Sequence, residues 1–193
     1  MVYGYRRANL NAVWVLIGAC VIVFIATTIS PDLIYLLGLS RFDLASKPWT
    51  LITNIFVHGG IGHIFTNMLT LYFFGTYLCT LMGEKRFLIV YFVGGLVGNI
   101  FYILLASPFS LAVGASGAIF ALGGVLAVMR PNLRVFVFPV PAPIPLWLAV
   151  IGGFIIISFF PNIAWQAHLG GLVFGLVVGY FFKRRERGRP AWY

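Results

Sequence analysis

Residues 87–106, FLIVYFVGGLVGNIFYILLA, form an uncharged apolar run between Gly83-Glu84-Lys85-Arg86 and Ser107-Pro108. At about 1.5 Å rise per residue such a run makes a helix about 30 Å long, which matches the hydrocarbon thickness of a bilayer. A membrane barrel strand would alternate polar and apolar residues. This run does not alternate, so it reads as a spanning helix.

Five further apolar segments lie on either side, at about 11–29, 63–82, 115–129, 145–160 and 166–182. Chemically sensible breakers separate them. Pro31-Asp32 ends the first, Arg130-Pro131-Asn132 the fourth and Pro161-Asn162 the fifth, and Lys183-Arg184-Arg185 closes the sixth. Four prolines between Pro139 and Pro145 make that stretch a stiff connector rather than a helix interior. The run Ala12–Ile29 is too long for a signal-peptide core and lacks a convincing small-x-small cleavage site, so it reads as a retained span.

Composition agrees. The 193 residues are 61% hydrophobic and 9% charged, with mean hydropathy +1.01. Soluble domains carry about 25% charged residues, and disorder needs low hydrophobicity. Both classes are excluded. The expected fold is all-α: a polytopic membrane protein of six transmembrane helices forming a single domain over 1–193. An outer loop, 30–62, is too apolar to float in water and lies in the interface with helical pieces.

The net charge of +9 is a matter of topology. With six spans, Arg6, Arg7, Lys85, Arg86, Arg130, Arg134, Lys183, Arg184, Arg185, Arg187 and Arg189 share one side, and only Arg41 and Lys47 face the other. The positive-inside rule then puts both termini in the cytoplasm. The basic residues face anionic membrane lipids, and no nucleic-acid partner is expected. Cys20 and Cys79 lie in apolar runs and read as small buried hydrophobes.

Polar side chains within spans are expensive and are functional candidates by default. The three histidines, His58, His63 and His168, fall at or near outer span ends, and Asn67 lies one turn after His63 on the same face. Ser116 opens the fourth span in Gly114-Ala115-Ser116-Gly117, and His168 opens the sixth. Counted back from Arg130 and Lys183, both lie about 21–23 Å above the cytoplasmic charge layer. Equal depth allows a hydrogen-bonded Ser–His pair if the helices touch. Gly171, Gly175 and Gly179 repeat every four residues and give the sixth span a face for close approach.

A serine hydroxyl becomes a nucleophile when a base takes its proton, and histidine is the usual base. The oxyanion formed on attack needs fixed donors. The Ser116 backbone N–H is one, and the Asn67 and His63 side chains are two more. No embedded carboxylate is available as a third member, since Asp32 and Asp43 lie in the outer loop. A dyad is therefore favoured over a triad.

Taken singly these residues have blander roles: Ser116 as a helix N-cap, Asn67 as interhelical glue, the glycines as packing. Zinc on the histidines is disfavoured, because no glutamate follows His58 and the spacing from His58 to His63 suits no single helix face. A small transporter would want internal repeats or acidic residues along a path, and neither is evident.

The motifs resemble those of the rhomboid intramembrane serine proteases in their minimal six-helix form. Gly114-Ala115-Ser116-Gly117 fits their Gly-x-Ser-Gly pattern. His58, His63 and Asn67 resemble their second-span motif, and Ala167-His168-Leu169-Gly170-Gly171 with Gly175 resembles their last helix. Gly83-Glu84 closing the second span is also rhomboid-like. The resemblance implies Ser116 as nucleophile, His168 as general base and an oxyanion hole of Asn67, His63 and the Ser116 amide. It also implies supporting roles for His58, Gly114, Gly117 and Phe120, no metal or cofactor, and transmembrane protein substrates cut near the outer side of the membrane. By the same analogy the fifth span is a candidate gate. The expected setting is a prokaryotic plasma membrane. The closest alternative is a catalytically inactive relative that binds membrane proteins. Two positions depart from the family pattern. Thr50 follows Trp49 where many rhomboids have arginine, and Phe120 stands where many have a tyrosine stacked on the histidine.

Overall fold

The computed structural model describes residues 10–137 and 139–187. Arg6, Arg7 and Arg189 of the basic set lie outside the described residues. The chain is helical almost throughout. Its helices are α1 (Asn11–Ile29), α2 (Asp32–Leu37), α3 (Thr50–Thr53), α4 (Ile61–Met82), α5 (Glu84–Leu105), α6 (Ser116–Met129), α7 (Leu146–Ser158) and α8 (Trp165–Arg187). Four of them, α1, α4, α5 and α8, are long and apolar enough to cross a membrane, while α6 and α7 are shorter apolar helices. The six apolar segments correspond to α1, α4, α5, α6, α7 and α8, and helical pieces occupy the outer connector as expected.

Two boundaries differ from expectation, each for a local reason. The third segment was expected from about 87, but the basic stretch after Gly83 is already helical. Gly83, at φ +87°, turns the chain in one residue and α5 begins at Glu84. Only glycine takes that conformation cheaply. The Glu84 carboxylate accepts from the Ala12 N–H at 2.6 Å, so it offsets the positive end of α1 as well as that of its own helix. Helix α8 runs past Lys183 to Arg187, because cations suit a helix C-terminus. The proline-rich connector closes a two-residue antiparallel ladder, β1 (Arg134–Val135) on β2 (Ile144–Pro145), at the inner end of α7.

Helix α6 is the hub. Eleven of its 14 residues are buried, which is how a helix apolar on every side is accommodated. It packs on α8, α5, α4 and α7, while α1 packs on α4 outside this set. It is short, about 21 Å at 1.5 Å per residue, and Ser116 is its first residue. The α6–α8 contact is a glycine seam. A Cβ on Gly171 would strike the Gly117 carbonyl oxygen, one on Gly175 the Ala121 carbonyl oxygen, and one on Gly179 would lie 2.9 Å from Val125 Cα. Cys20 and Cys79 are buried and free.

Candidate active site

The outer end of the seam joins Ser116 to His168. The Ser116 hydroxyl and His168 Nε2 lie 2.6 Å apart, linking the first residue of α6 to the first turn of α8. His168 is buried, and its Nδ1 has no hydrogen-bond partner among the described residues. No carboxylate therefore stands behind the imidazole. The Nδ1–H tautomer leaves the Nε2 lone pair for the serine proton. Phe120, one turn along α6 from Ser116, lies against the His168 ring at 4.9 Å between centroids and 34° between planes. That contact needs no hydroxyl.

The second span supplies the other wall. Gly114 has φ +124°, and a Cβ there would lie 2.8 Å from both Cε1 and Nε2 of His63 and 3.7 Å from Ser116 Oγ. The space beside the Ser116 hydroxyl is therefore open only because residue 114 is glycine, and the His63 ring borders it. Asn67 is buried, donates from Nδ2 to the His63 carbonyl at 2.8 Å, and lines one groove together with Ser116. A primary amide carries a second N–H on the same nitrogen. His58 is fully buried just ahead of α4, with Nδ1 3.2 Å from the Phe56 carbonyl and its ring edge-on to His63 at 5.1 Å. Burial, with the neighbouring His63 next in effect, pushes its pKa down to about 4.

Three residues that sequence reading did not single out position this cluster. Asn54 and Asn99 exchange side-chain hydrogen bonds at 2.9 and 2.8 Å, and Asn99 Nδ2 also reaches the Leu51 carbonyl. Asn54 in turn accepts the Gly114 N–H at 2.9 Å on its backbone carbonyl. The outer connector is thus fastened to α5 and to the Gly114 loop that leads into Ser116. The signal was present, since Asn99 is the lone amide in the run 87–106 and such groups are costly in hydrocarbon. The third residue, Phe154 on α7, meets Phe120 edge-on at 5.9 Å. The connector is also held at Trp49, whose Nε1 donates to the Leu36 carbonyl at 2.9 Å, and at Leu39, which bridges to Ala112. Thr50 is buried and donates to the Lys47 carbonyl at 2.7 Å, so the connector is hydrogen-bonded without arginine there.

Between α4 and α7 runs an apolar groove of about 830 Å³, walled by Thr70, Phe73, Val150, Gly153 and Ile157, with Ser116 and Asn67 on its lining. Helix α7 buries only Leu146 and Val150 and so is the least embedded of the six apolar helices. No group of three or more potential metal ligands occurs among the described residues.

The rhomboid domain profile matches residues 45–185. The chain is 28% identical over 169 residues to rhomboid protein 1, mitochondrial, of Saccharomyces cerevisiae, covering 75% of this chain and 46% of that protein. It is 36% identical over 144 residues to the rhomboid protease GluP of Bacillus subtilis (74% and 26%). It is 32% identical over 142 residues to the putative rhomboid protease YdcA of the same organism (73% and 70%). The chain thus spans less than half the length of the first two of these relatives.

Proposed function

The chain belongs to the rhomboid family, and on that premise we propose that it is an intramembrane serine endopeptidase cutting transmembrane protein substrates near the outer side of the membrane. The carrying observation is the 2.6 Å contact between Ser116 Oγ and His168 Nε2 across two helices. In this reading α1, α4, α5, α6, α7 and α8 are six spans of one domain, with both termini on the cytoplasmic side.

His168 Nε2 takes the Ser116 proton as Oγ attacks the scissile carbonyl. The tetrahedral oxyanion is held by the Ser116 backbone N–H, the second Nδ2 hydrogen of Asn67 and the His63 ring. His168 returns the proton to the leaving amine, and an acyl-enzyme remains on Ser116. Water then attacks the ester carbon, giving its proton to Nε2. The ester bond breaks and the serine is reprotonated. Phe120 holds the imidazole plane, and Gly114 leaves room for the substrate carbonyl. Helix α7, with few buried residues beside the groove, is the element that admits the substrate.

The test is cleavage of a single-span substrate in liposomes by the wild type, Ser116→Ala and His168→Ala, with fluorophosphonate labelling of Ser116 beside it. Cleavage and labelling by the wild type, and neither by Ser116→Ala, are expected. Wild-type cleavage rates in both variants would overturn the dyad.

A further inference from the structure

We propose that Arg130 and Glu186 form a positioning pair for the Ser116–His168 dyad, fixing the rotation of α8 against α6 from the cytoplasmic end of the two helices. The inference rests on the catalytic reading of that dyad.

The glycine seam fixes how closely the two backbones approach, but its glycines raise no ridges toward α6 to resist rotation of α8, which is otherwise held by its packing on α5. Rotation matters here. A side-chain tip about 6 Å from a helix axis moves about 1 Å for a turn of about 10°, and a misplacement of about 1 Å can lower a rate about 10²-fold.

The pair sits where it has most leverage. Glu186 follows His168 by 18 residues, five whole turns at about 3.6 residues per turn, so it projects from the same edge of α8. Arg130 follows Ser116 by 14 residues and lies within about 40° of the edge that carries the nucleophile. Their contact is bidentate, with Nη1 to Oε2 at 2.9 Å and Nη2 to Oε1 at 2.7 Å. A planar fork on a carboxylate constrains orientation as well as distance. Two further bonds fix the end of α6: Arg130 Nη1 donates to the Met129 carbonyl at 2.9 Å, and Lys183 Nζ on α8 donates to the Val128 carbonyl at 2.7 Å. These carbonyls have no partners within their own helix. The two helices are therefore pinned edge to edge at both ends. Because the pair is partly exposed, its contribution to stability is small. Its geometric effect can therefore be separated from folding.

The experiment uses the full chain in liposomes and compares wild type, Glu186→Gln and the charge swap R130E/E186R. Glu186→Gln is expected to lower kcat about tenfold with KM within about twofold, the pattern of a misplaced base. Its thermal midpoint should stay at the wild-type value, and the ring signals of His168, set by the face of Phe120, should move in the NMR spectrum. The swap should recover most of the lost kcat. An unchanged kcat in Glu186→Gln, a loss accompanied by a lowered midpoint, or a swap that inserts normally yet recovers nothing would each overturn the proposal. Should the swapped chain fail to insert, Glu186→Asp decides, because it keeps the charge. Activity no better than Glu186→Gln then counts against the pair. Failure of the catalytic reading shows up separately, as equal cleavage by wild type and Ser116→Ala. The His168 signals still report whether the pair sets the ring.

Discussion

Replacing Gly171 by alanine adds one methyl group to α8 and should nearly abolish catalysis. The new Cβ would lie 2.9 Å from the Gly117 carbonyl carbon and closer still to its oxygen. Carbon atoms in contact sit about 3.5–4.0 Å apart, so α8 must withdraw by about 1 Å. Both atoms are backbone, and neither can rotate away. Gly117 adjoins Ser116, and Gly171 is three residues, about 4.5 Å of rise, beyond His168. The displacement is therefore felt at the dyad almost undiminished. It stretches the 2.6 Å Oγ–Nε2 contact to about 3.6 Å, outside hydrogen-bond range. General-base catalysis contributes about 10²–10⁴ in rate, so kcat should fall about 100-fold, which is about 3 kcal/mol of barrier. Overpacking of this kind also lowers stability by about 1–3 kcal/mol. The assay is single-turnover cleavage of a transmembrane substrate in liposomes, with a thermal unfolding curve on the same preparation. Gly18→Ala is the control, since its Cβ meets nothing within 4 Å, and it should retain full activity. A Gly171→Ala protein with the wild-type rate and unfolding midpoint would refute the seam as the device that sets the dyad distance.

Asn67→Ala should lower kcat by about 10²–10³ and leave KM nearly unchanged, as expected for loss of one oxyanion donor, and steady-state kinetics would reveal it. Gly114→Ala should block fluorophosphonate labelling of Ser116, because its Cβ would lie 2.8 Å from the His63 ring and φ +124° strains any other residue. Labelling at the wild-type rate would contradict this. Phe120→Leu should slow cleavage by up to about tenfold, the equivalent of a ring contact of about 0.5–1.5 kcal/mol, whereas Phe120→Tyr should be nearly neutral in the same assay. For His58 the folded pKa of about 4 lies below the ordinary 6.5. The unfolded chain therefore binds more protons between those values. Stability from this residue is complete above pH 6.5 and is lost as pH falls toward 4, by up to about 3 kcal/mol. Thermal midpoints measured across that range should decline in the wild type and decline less in His58→Phe.

The apolar helices were legible because hydrocarbon leaves a chain few options. Every backbone polar group must be paired internally, so each long apolar run becomes a helix whose ends are set by charges, prolines and glycines. The same scarcity of polar groups made Ser116, His168, Asn67 and His63 stand out. Span ends were less legible. The third segment reads as starting at about 87, yet the Gly83 backbone turns in one residue and lets Glu84 start α5 at once. Asn99 was passed over because one amide in an apolar run gives no hint of its partner, 45 residues away at Asn54. Phe154 carried no signal at all, being one aromatic among the 19 phenylalanines of the chain.

The sequence by itself determined the solvent, the helices and the inventory of chemistry. Those follow from local composition and periodicity, which act over one or two turns. It also determined that Ser116 and His168 share a depth, since depth is a residue count along a rigid rise. Only the tertiary structure decided that they meet. Their 2.6 Å contact depends on two backbones closing on each other at Gly171 and Gly117, on Phe120 lying against the imidazole, and on Gly114 clearing the space beside His63. Contacts between distant segments depend on packing of the whole bundle. The glycine repeat marks the face of α8 that a neighbour can approach, but no pattern within a single helix specifies which helix that neighbour will be.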